Sequence, residues 1–378
     1  MKLKPINTSI NGKIKSLAVQ ADGKILVLGE FTKLRGNKRP GFGRLNPDGS
    51  LDTTFNIHTN GFIWSFAIQG DGKILIGGNF SEIAGEKRPF LARLNQDGTL
   101  DSSFHPFKPP FEFLFQSNKP LEFHFAGLIK VETIDVRKDG LIYFSIGGLN
   151  NLMIGWMTPA GKNISFLPHR KLGQDTDLSK QLGLMKMEVM AVVEQSDGKS
   201  IFAGKFNELI KEPKDCIFRL DRNGNLDKSY NPRTNTVSIW DIALLDDEKL
   251  LFSCNEDSFK LANTYLKRLN PDGSLDSSFS VHPNDSIFKI TLGADGIIII
   301  GGRFTKVNKK KCKYLGRLNS DGSVDATFIP APNKPVNAIA IDENGKILVG
   351  GNFTKIGGEN RERIARLNPN GEVDTSFI

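Results

Sequence analysis

The chain has 378 residues and a formal net charge of +8, with 24% charged residues, 39% hydrophobic residues, 38 glycines and 27 phenylalanines. This composition excludes a disordered chain, because it supplies enough apolar side chains to bury a large core. The longest strictly aliphatic run, Ile297 to Ile300, is far shorter than the ~20 residues that a membrane helix needs.

Cysteine usage and the first residues bear on the compartment. Cys216, Cys254 and Cys312 are far apart, which excludes a disulfide framework and a Cys-x-x-Cys metal site. The opening residues MKLKPINTSINGK contain no apolar segment of the secretory type. We therefore expect synthesis in the cytoplasm and no membrane span, which is also compatible with a larger assembly built inside the cell.

A repeat of about 49 residues organises the sequence. An Arg-Leu-Asn or Arg-Leu-Asp string, a Gly-containing turn and a final Asp-x-Ser/Thr-Phe or -Tyr recur in six copies, which begin at Arg44, Arg93, Arg219, Arg268, Arg317 and Arg366. A degenerate copy, WMTPAGKNISF from Trp156, lies in the long interval between the second and third of these. The repeat therefore predicts seven units.

Each unit reads as four short strands in chain order. The first strand alternates apolar residues, as in 63–68, and an Asp-Gly turn such as Asp71-Gly72 follows it. The second strand is a continuous apolar run, typical of burial on both faces, and it ends in paired glycines such as Gly77-Gly78. Those glycines predict close approach between neighbouring units. A twelve-residue connection leads to the third strand, and the Pro-Asp-Gly type of turn leads to the fourth.

Seven four-stranded units without helical periodicity predict an all-β fold, a single seven-bladed β-propeller of four antiparallel strands per blade over residues 1–378. Insertions are expected at about 105–130 and 167–188. A linear β-solenoid is the main alternative, although its coils usually run about 20–30 residues. Because a propeller closes, units six, seven and one are expected to be neighbours.

The segments FTKLRGNKRPGFGRLNPDGSLDTTF and GGNFTKIGGENRERIARLNPNGEVDTSF resemble the delta-60 repeat family of β-propellers. Five of the seven units match this pattern closely. The unit at 136–166 departs from it, and the unit at 244–279 has Asp-Asp-Glu-Lys where an Asp-Gly turn is expected. The resemblance implies the propeller fold and no established activity.

The repeated Arg and Asp predict a structural role. A three-residue turn places them opposite each other on one face of a hairpin, where an ion pair fixes the register. The pairs are Arg44/Asp52, Arg93/Asp101, Arg219/Asp227, Arg268/Asp276, Arg317/Asp325 and Arg366/Asp374. Calcium binding by the same turns is the alternative, although most oxygen ligands of a calcium loop are missing.

Catalytic motifs are absent from the sequence: there is no G-x-S-x-G, H-E-x-x-H or P-loop string, and the five histidines are not spaced as ligands. Cys312 lies between two lysines, which suggests a lowered thiol pKa, but no base can be named. The inner strands offer little beyond Asp135 and Asp241. We expect no enzyme, no cofactor and no metal.

Two irregular features are the candidate binding sites. Connections 32–43 and 305–316 contain four and five basic residues and no acid, whereas 354–365 contains three bases and two acids. The predicted site for an anionic partner consists of Lys33, Arg35, Lys38, Arg39, Lys306, Lys309, Lys310, Lys311 and Lys313. The second feature is an apolar hairpin before unit three with Phe111, Phe113, Phe115, Phe123 and Phe125 on one face. It either packs on the ring or protrudes toward a partner.

The sequence therefore favours a non-catalytic structural or protein-interaction module. Its partner is expected to be a protein with an acidic surface, or alternatively an anionic glycan, and a homo-oligomer is compatible with the pattern. Nucleic acid is not favoured, because only Phe42 and Tyr314 interleave with the bases. The alternatives are a glycan-binding propeller of a cell-surface or virion assembly, and a hydrolase or lyase that uses the central channel.

Overall fold

A computed structural model describes residues 10–106, 130–148, 151–162, 165–167, 187–206, 216–234, 236–256 and 264–378. The chain divides into two compact units, one of residues 1–52 with 190–378 and one of residues 53–189. The described residues are almost entirely strands and turns, with one short 3-10 helix, Ala294–Gly296. None of them forms a helix long and apolar enough to cross a membrane.

The strands of the first half of the chain are β1 (Ile14–Val19), β2 (Ile25–Gly29), β3 (Lys33–Leu34), β4 (Asn37–Lys38), β5 (Phe42–Leu45), β6 (Ile63–Ile68), β7 (Ile74–Gly78), β8 (Glu82–Ile83), β9 (Glu86–Lys87), β10 (Leu91–Leu94), β11 (Lys130–Val136), β12 (Ile142–Gly148), β13 (Asn151–Met157) and β14 (Ser165–Leu167). The strands of the second half are β15 (Met187–Glu194), β16 (Ser200–Phe206), β17 (Ile217–Leu220), β18 (Ser238–Leu244), β19 (Leu250–Asn255), β20 (Thr264–Leu269), β21 (Leu275–Val281), β22 (Ile287–Leu292), β23 (Ile298–Gly302), β24 (Lys306–Val307), β25 (Lys310–Lys311), β26 (Leu315–Leu318), β27 (Val336–Ile341), β28 (Ile347–Gly351), β29 (Lys355–Ile356), β30 (Glu359–Asn360) and β31 (Ile364–Leu367).

Within the described ranges these strands form seven larger sheets and four small ribbons. The larger sheets have the orders β1-β2-β5, β6-β7-β10, β11-β12-β13-β14, β15-β16-β17, β18-β19-β20-β21, β22-β23-β26 and β27-β28-β31. The ribbons are β3-β4, β8-β9, β24-β25 and β29-β30, and each lies in the connection between the second and third strands of its sheet. The predicted all-β repeat is therefore present.

The first hairpin of each sheet is closed by the predicted turn. In the first sheet Gly23 has φ +77, and its N–H donates to the carbonyl of Gln20 at 2.9 Å. In β18-β19, where the sequence has Asp-Asp-Glu-Lys, Glu248 takes the glycine position at φ +63 and makes the same bond to Leu245 at 3.0 Å. The unit whose sequence departs from the repeat therefore forms the same turn, with a glutamate in the left-handed conformation.

Two of the sheets have a fourth strand, whereas five have three in the described residues, fewer than the four that we expected. After the second turn, the chain makes a single bridge such as Leu94↔Leu100. Asp101 then accepts hydrogen bonds from the N–H of Ser103 at 3.0 Å and from its hydroxyl at 2.6 Å. This tight turn ends the pairing, because the side chain replaces the ladder acceptor. Phe104 follows this turn and is fully buried in an apolar cluster that includes Leu75 of its own sheet and Val131 of the next one.

The second strands form the core, since every residue of β7, β23 and β28 is buried. In the first unit, β16 packs on β18, β18 on β22, β22 on β27 and β27 on β1. One apolar cluster joins Ile14 and Leu17 of β1 to Ala338 and Leu348 of the last sheet. The first sheet of the chain therefore lies beside the last.

Candidate functional site

The Arg–Asp pairs lie opposite each other as the turn length predicted. Leu45 pairs with Leu51, the N–H of Asp52 donates to the carbonyl of Arg44 at 3.0 Å, and Arg44 Nε donates to Asp52 Oδ2 at 2.9 Å. Both side chains are buried, and Lys24 Nζ lies 3.1 Å from the same carboxylate. The pair is an internal part of the hairpin rather than a surface group.

The same arginines also connect each sheet to the next one within a unit. Arg93 Nη1 donates to the carbonyl of Pro159 at 2.5 Å, and Arg366 Nη1 donates to that of Pro47 at 2.6 Å. The Arg93 guanidinium lies 4.5 Å from the ring centroid of Phe104. These arginines therefore use donors of the guanidinium for bonds inside the protein.

The carboxylates of these pairs are held ionised. Burial opposes the charge of Asp101, but hydrogen bonds from Ser103 and Lys73 and the charge of Arg93 outweigh it, so the pKa of Asp101 lies well below its ordinary value. The hydroxyl of Ser278 is the main cause of the same lowering of the pKa of Asp276. Neither group has the pKa of a general acid near neutral pH.

The turns considered for calcium are closed by their own hydrogen bonds. Asp48 Oδ1 accepts from the N–H of Ser50 at 2.9 Å and from its hydroxyl at 2.7 Å. These bonds lower the pKa of Asp48. The part of the chain that the structure describes contains no group of three or more His, Cys, Asp or Glu side chains placed to hold a metal.

The candidate catalytic residues occupy internal positions. Asp241 in β18 is buried and accepts from Lys289 Nζ at 3.1 Å and from the N–H of Ile290 at 2.7 Å. Burial raises its pKa, and the charge of Lys289 acts against that effect. The expectation of a lowered thiol pKa for Cys312 was wrong, because burial raises this pKa to about 11. The flanking lysines are exposed to solvent.

The predicted basic residues lie on the ribbons. We name the four ribbons A (33–38), B (82–87), C (306–311) and D (355–360), and A, C and D lie on the sheets β1-β2-β5, β22-β23-β26 and β27-β28-β31, which pack consecutively in the first unit. Seven of the nine predicted side chains are exposed; they are Lys33, Lys38, Lys306, Lys309, Lys310, Lys311 and Lys313. The ribbons therefore present a lysine surface.

The two arginines of the predicted site point inward instead. Arg35 Nε donates to the carbonyl of Gly49 at 2.9 Å, and its Nη2 donates to that of Ile378. Burial is the main reason that its pKa falls to about 10, with a further contribution from the charge of Arg361. Arg39 is half-buried and donates to the carbonyl of Lys38 at 2.9 Å.

Sequence reasoning missed the asparagines that anchor the ribbons. Asn11 Oδ1 accepts the N–H groups of Thr32 and Lys33 at 2.9 and 2.8 Å. Asn284 does the same for Thr305 and Lys306, both at 2.8 Å. Asn60 and Asn333 hold ribbons B and D in the same way. Their 49-residue spacing in two pairs, 11 with 60 and 284 with 333, is the signal that could have found them.

The five phenylalanines of the predicted apolar hairpin, Phe111, Phe113, Phe115, Phe123 and Phe125, lie outside the described residues. The ribbons are thus the predicted site that the structure describes.

Comparison with known proteins identifies the repeat. A family model described as a domain of unknown function (DUF5122) beta-propeller matches residues 20–55, 69–104, 262–279, 293–328 and 343–377. Five segments of the chain carry the repeat of this β-propeller family. The delta-60 resemblance is therefore confirmed. No curated protein matches the sequence.

Solved structures share the fold of this protein. The WD40 beta propeller domain of Doa1 matches with a TM-score of 0.51 and 14% identity over 95% of this chain and 93% of that one. Puromycin hydrolase matches with a TM-score of 0.54 and 13% identity over 99% of this chain and 55% of the hydrolase. An extracellular domain of a putative hybrid two component system from B. thetaiotaomicron matches with a TM-score of 0.53 and 12% identity, over 95% and 42%. At these identities the likeness concerns the β-propeller fold alone.

Proposed function

We propose that this protein is a non-catalytic interaction module that binds an acidic protein partner through the lysine surface of ribbons A, C and D. The proposal includes a seven-bladed propeller of four-stranded blades, in which the ribbons project from three consecutive blades. Synthesis in the cytoplasm stays a prediction.

A single observation supports the site most directly. The seven exposed lysines have no acidic side chain within ion-pair distance among the described residues. Several lysines elsewhere are paired, as Lys73 is with Asp101 at 2.9 Å and Lys346 with Asp374 at 2.7 Å. Unpaired like charges on neighbouring elements create a positive potential that attracts an anionic surface.

The absence of enzymatic activity is part of the proposal. Asp241, one of the two inner-strand acids considered for catalysis, has both carboxylate oxygens engaged inside the protein, Oδ1 by Lys289 Nζ at 3.1 Å and Oδ2 by the N–H of Ile290 at 2.7 Å. A hydrolase or lyase needs a group free to transfer a proton to substrate.

Glycan binding is the second candidate function. The observation that favours it is an exposed aromatic pair in the second unit, where Phe62 is 69% exposed and Trp64 is 39% exposed. Lys130 Nζ lies 4.2 Å from the Trp64 ring centroid. Exposed aromatic faces with adjacent polar groups suit the apolar face of a sugar ring.

The test of the ribbon site is retention on a heparin column over a salt gradient. The variant replaces Lys33, Lys38, Lys309, Lys310 and Lys311 with Gln and leaves Arg35, which has an internal role, unchanged. The matched control replaces five exposed lysines outside ribbons A, C and D with Gln; these are Lys87, Lys138, Lys162, Lys205 and Lys228.

We expect wild type and control to be retained and to weaken steeply with salt, because several cationic contacts form at once. The ribbon variant should elute at clearly lower salt than the control. Equal elution of the two variants would contradict the ribbon site, since retention would then follow net charge alone.

A further inference from the structure

Ribbons A and C contain lysine pairs that face each other directly. The strand registers place Lys33 opposite Lys38 and Lys306 opposite Lys311. The residue pair next to each lysine pair is hydrogen-bonded. The N–H of Cys312 donates to the carbonyl of Thr305 at 3.1 Å, and the N–H of Arg39 donates to the carbonyl of Thr32 at 3.0 Å. The lysine pairs are therefore at non-hydrogen-bonded positions, where opposite side chains are closest.

The homologous position in the other ribbons has no such conflict. In ribbon B, Glu82 lies opposite Lys87, and in ribbon D, Lys355 lies opposite Asn360. Like charges directly opposite destabilise a strand pair, whereas opposite charges stabilise it. The fold thus accepts a complementary pair at this position, and ribbons A and C have a repulsive one.

Ribbon C also has a lysine in an unfavourable backbone conformation. Its two-residue turn requires positive φ at both positions. Ribbons A, B and D place Gly36, Gly85 and Gly358 at the second position, but ribbon C has Lys309 with φ +66. A left-handed conformation is costly for a residue with a Cβ atom. Ribbon C therefore shares its opposed lysines with ribbon A and departs from all three other ribbons in its turn, where the residue present is again a lysine.

We infer that the lysine pairs of ribbons A and C are carboxylate-binding sites, and that the partner is an acidic segment of a protein. This inference rests on the proposed function. A carboxylate placed between two opposed ammonium groups pairs with both and removes the repulsion between them. The opposed lysine charges that destabilise the free ribbons are therefore also the charges that favour binding of a carboxylate.

Several features favour carboxylates over phosphates or bases. Every exposed cation of the predicted site is a lysine, whereas Arg35 and Arg39 bond to backbone carbonyls. Bidentate recognition of phosphate favours the arginine fork, while lysine acts as a point charge. Phe42 is buried and Tyr314 is only partly exposed, so the ribbons lack a free ring on which bases could stack.

The experiment measures the Tm of the full chain and its affinity for poly-L-glutamate at low salt, with polyuridylic acid and heparin as competing probes. Lys306→Glu copies the Glu/Lys arrangement of ribbon B. Lys309→Gly copies the turn of ribbons A, B and D. Lys162→Glu, at an exposed site in the second unit, controls for net charge, and Ala84→Gly controls for relief of a left-handed conformation in the turn of ribbon B.

We expect Lys306→Glu and Lys309→Gly to raise the Tm of the free protein by about 1–2 °C and to weaken binding of poly-L-glutamate, by about fivefold for Lys306→Glu. Lys162→Glu should leave affinity nearly unchanged, and Ala84→Gly should raise the Tm without weakening binding.

Each contrary outcome identifies what is wrong. Wild-type affinity in Lys306→Glu would overturn the lysine pair as the site, and a lower Tm in both ribbon variants would overturn the repulsion and strain. Tighter binding of polyuridylic acid or heparin than of poly-L-glutamate would overturn the acidic protein segment as the partner, although the ribbons would still be the binding surface. Lack of heparin retention by the wild type would reject the proposed function itself.

Discussion

At the residue scale, single glycines determine how closely neighbouring sheets approach. A Cβ atom added to Gly350 at the end of β28 would lie 2.6 Å from Ile14 Cγ2 and 3.0 Å from Leu17 Cδ1. Gly77 has the same relation to Val131, at 2.5 Å from Cγ1. The predicted close approach is therefore confirmed, and its physical basis is the first strand of the following sheet packing over the glycine.

Replacing Gly350 with Ala is expected to destabilise the protein by about 1–3 kcal/mol, because β1 has to shift away from a fully buried position. Urea unfolding monitored by fluorescence or circular dichroism measures the change. Gly70→Ala is the control, since nothing lies within 4 Å of the added Cβ. Equal stability of the two variants would show that the sheets can separate without cost.

At the element scale, the third-strand hairpin is stabilised by one buried carboxylate that has several donors. Asp101 Oδ2 accepts from Arg93 Nε at 2.8 Å and from Lys73 Nζ at 2.9 Å, while Oδ1 accepts from Ser103. The carboxylate thereby joins the hairpin to the first turn of its sheet, and it orients the arginine that reaches Pro159 of the next sheet.

Changing Asp101 to Asn should cost about 2 kcal/mol, because the amide cannot neutralise a guanidinium that is nearly buried. Thermal or urea unfolding gives the difference from wild type. Asp97→Asn in the same hairpin is the control, since its exposed side chain accepts from Thr99 at 2.8 and 2.7 Å and an amide oxygen can do the same. A similar loss in both variants would indicate turn geometry rather than the buried pair.

At the scale of the whole molecule, contacts between the ends of the sequence join the last sheet to the first within the first unit. The guanidinium of Arg366 reaches the turn at Pro47, and the ring of Phe377 lies where a Cβ on Gly49 would be 3.0 Å away. Each of these contacts has a homologue between other neighbouring sheets, such as Phe328 against Gly371. The contacts between the last sheet, β27-β28-β31, and the first sheet are therefore of the same kind as those between the last sheet and the sheet before it.

Repetition of the carboxylate network makes acid stability a property of the whole protein. Asp101, Asp276 and Asp374 all have a pKa below the ordinary value, so the folded state binds fewer protons than the unfolded state. Their contribution is complete above the unfolded pKa of about 3.9 and is lost as pH falls further. We expect a Tm that is insensitive to these groups from pH 7 to about 5 and that drops steeply below about pH 4. A Tm unchanged at pH 3 would show that the pairs do not contribute to stability.

The sequence by itself determined what depends on residues close together in the chain. Turn length and alternation placed Arg44 opposite Asp52, predicted the buried second strands, and located the basic connections that became ribbons A and C. These features follow from local pairing, because a strand register is set within about ten residues of its turn.

Only the tertiary structure decided which groups remain available to a partner. It directed Arg35 toward Ile378 and buried Cys312, both from connections that read as uniformly basic and exposed. It also brought the sheet of ribbon C beside that of ribbon D, and the sheet of ribbon D beside that of ribbon A. Burial and contact between residues tens or hundreds of positions apart depend on how the sheets pack, and no local pattern records that packing.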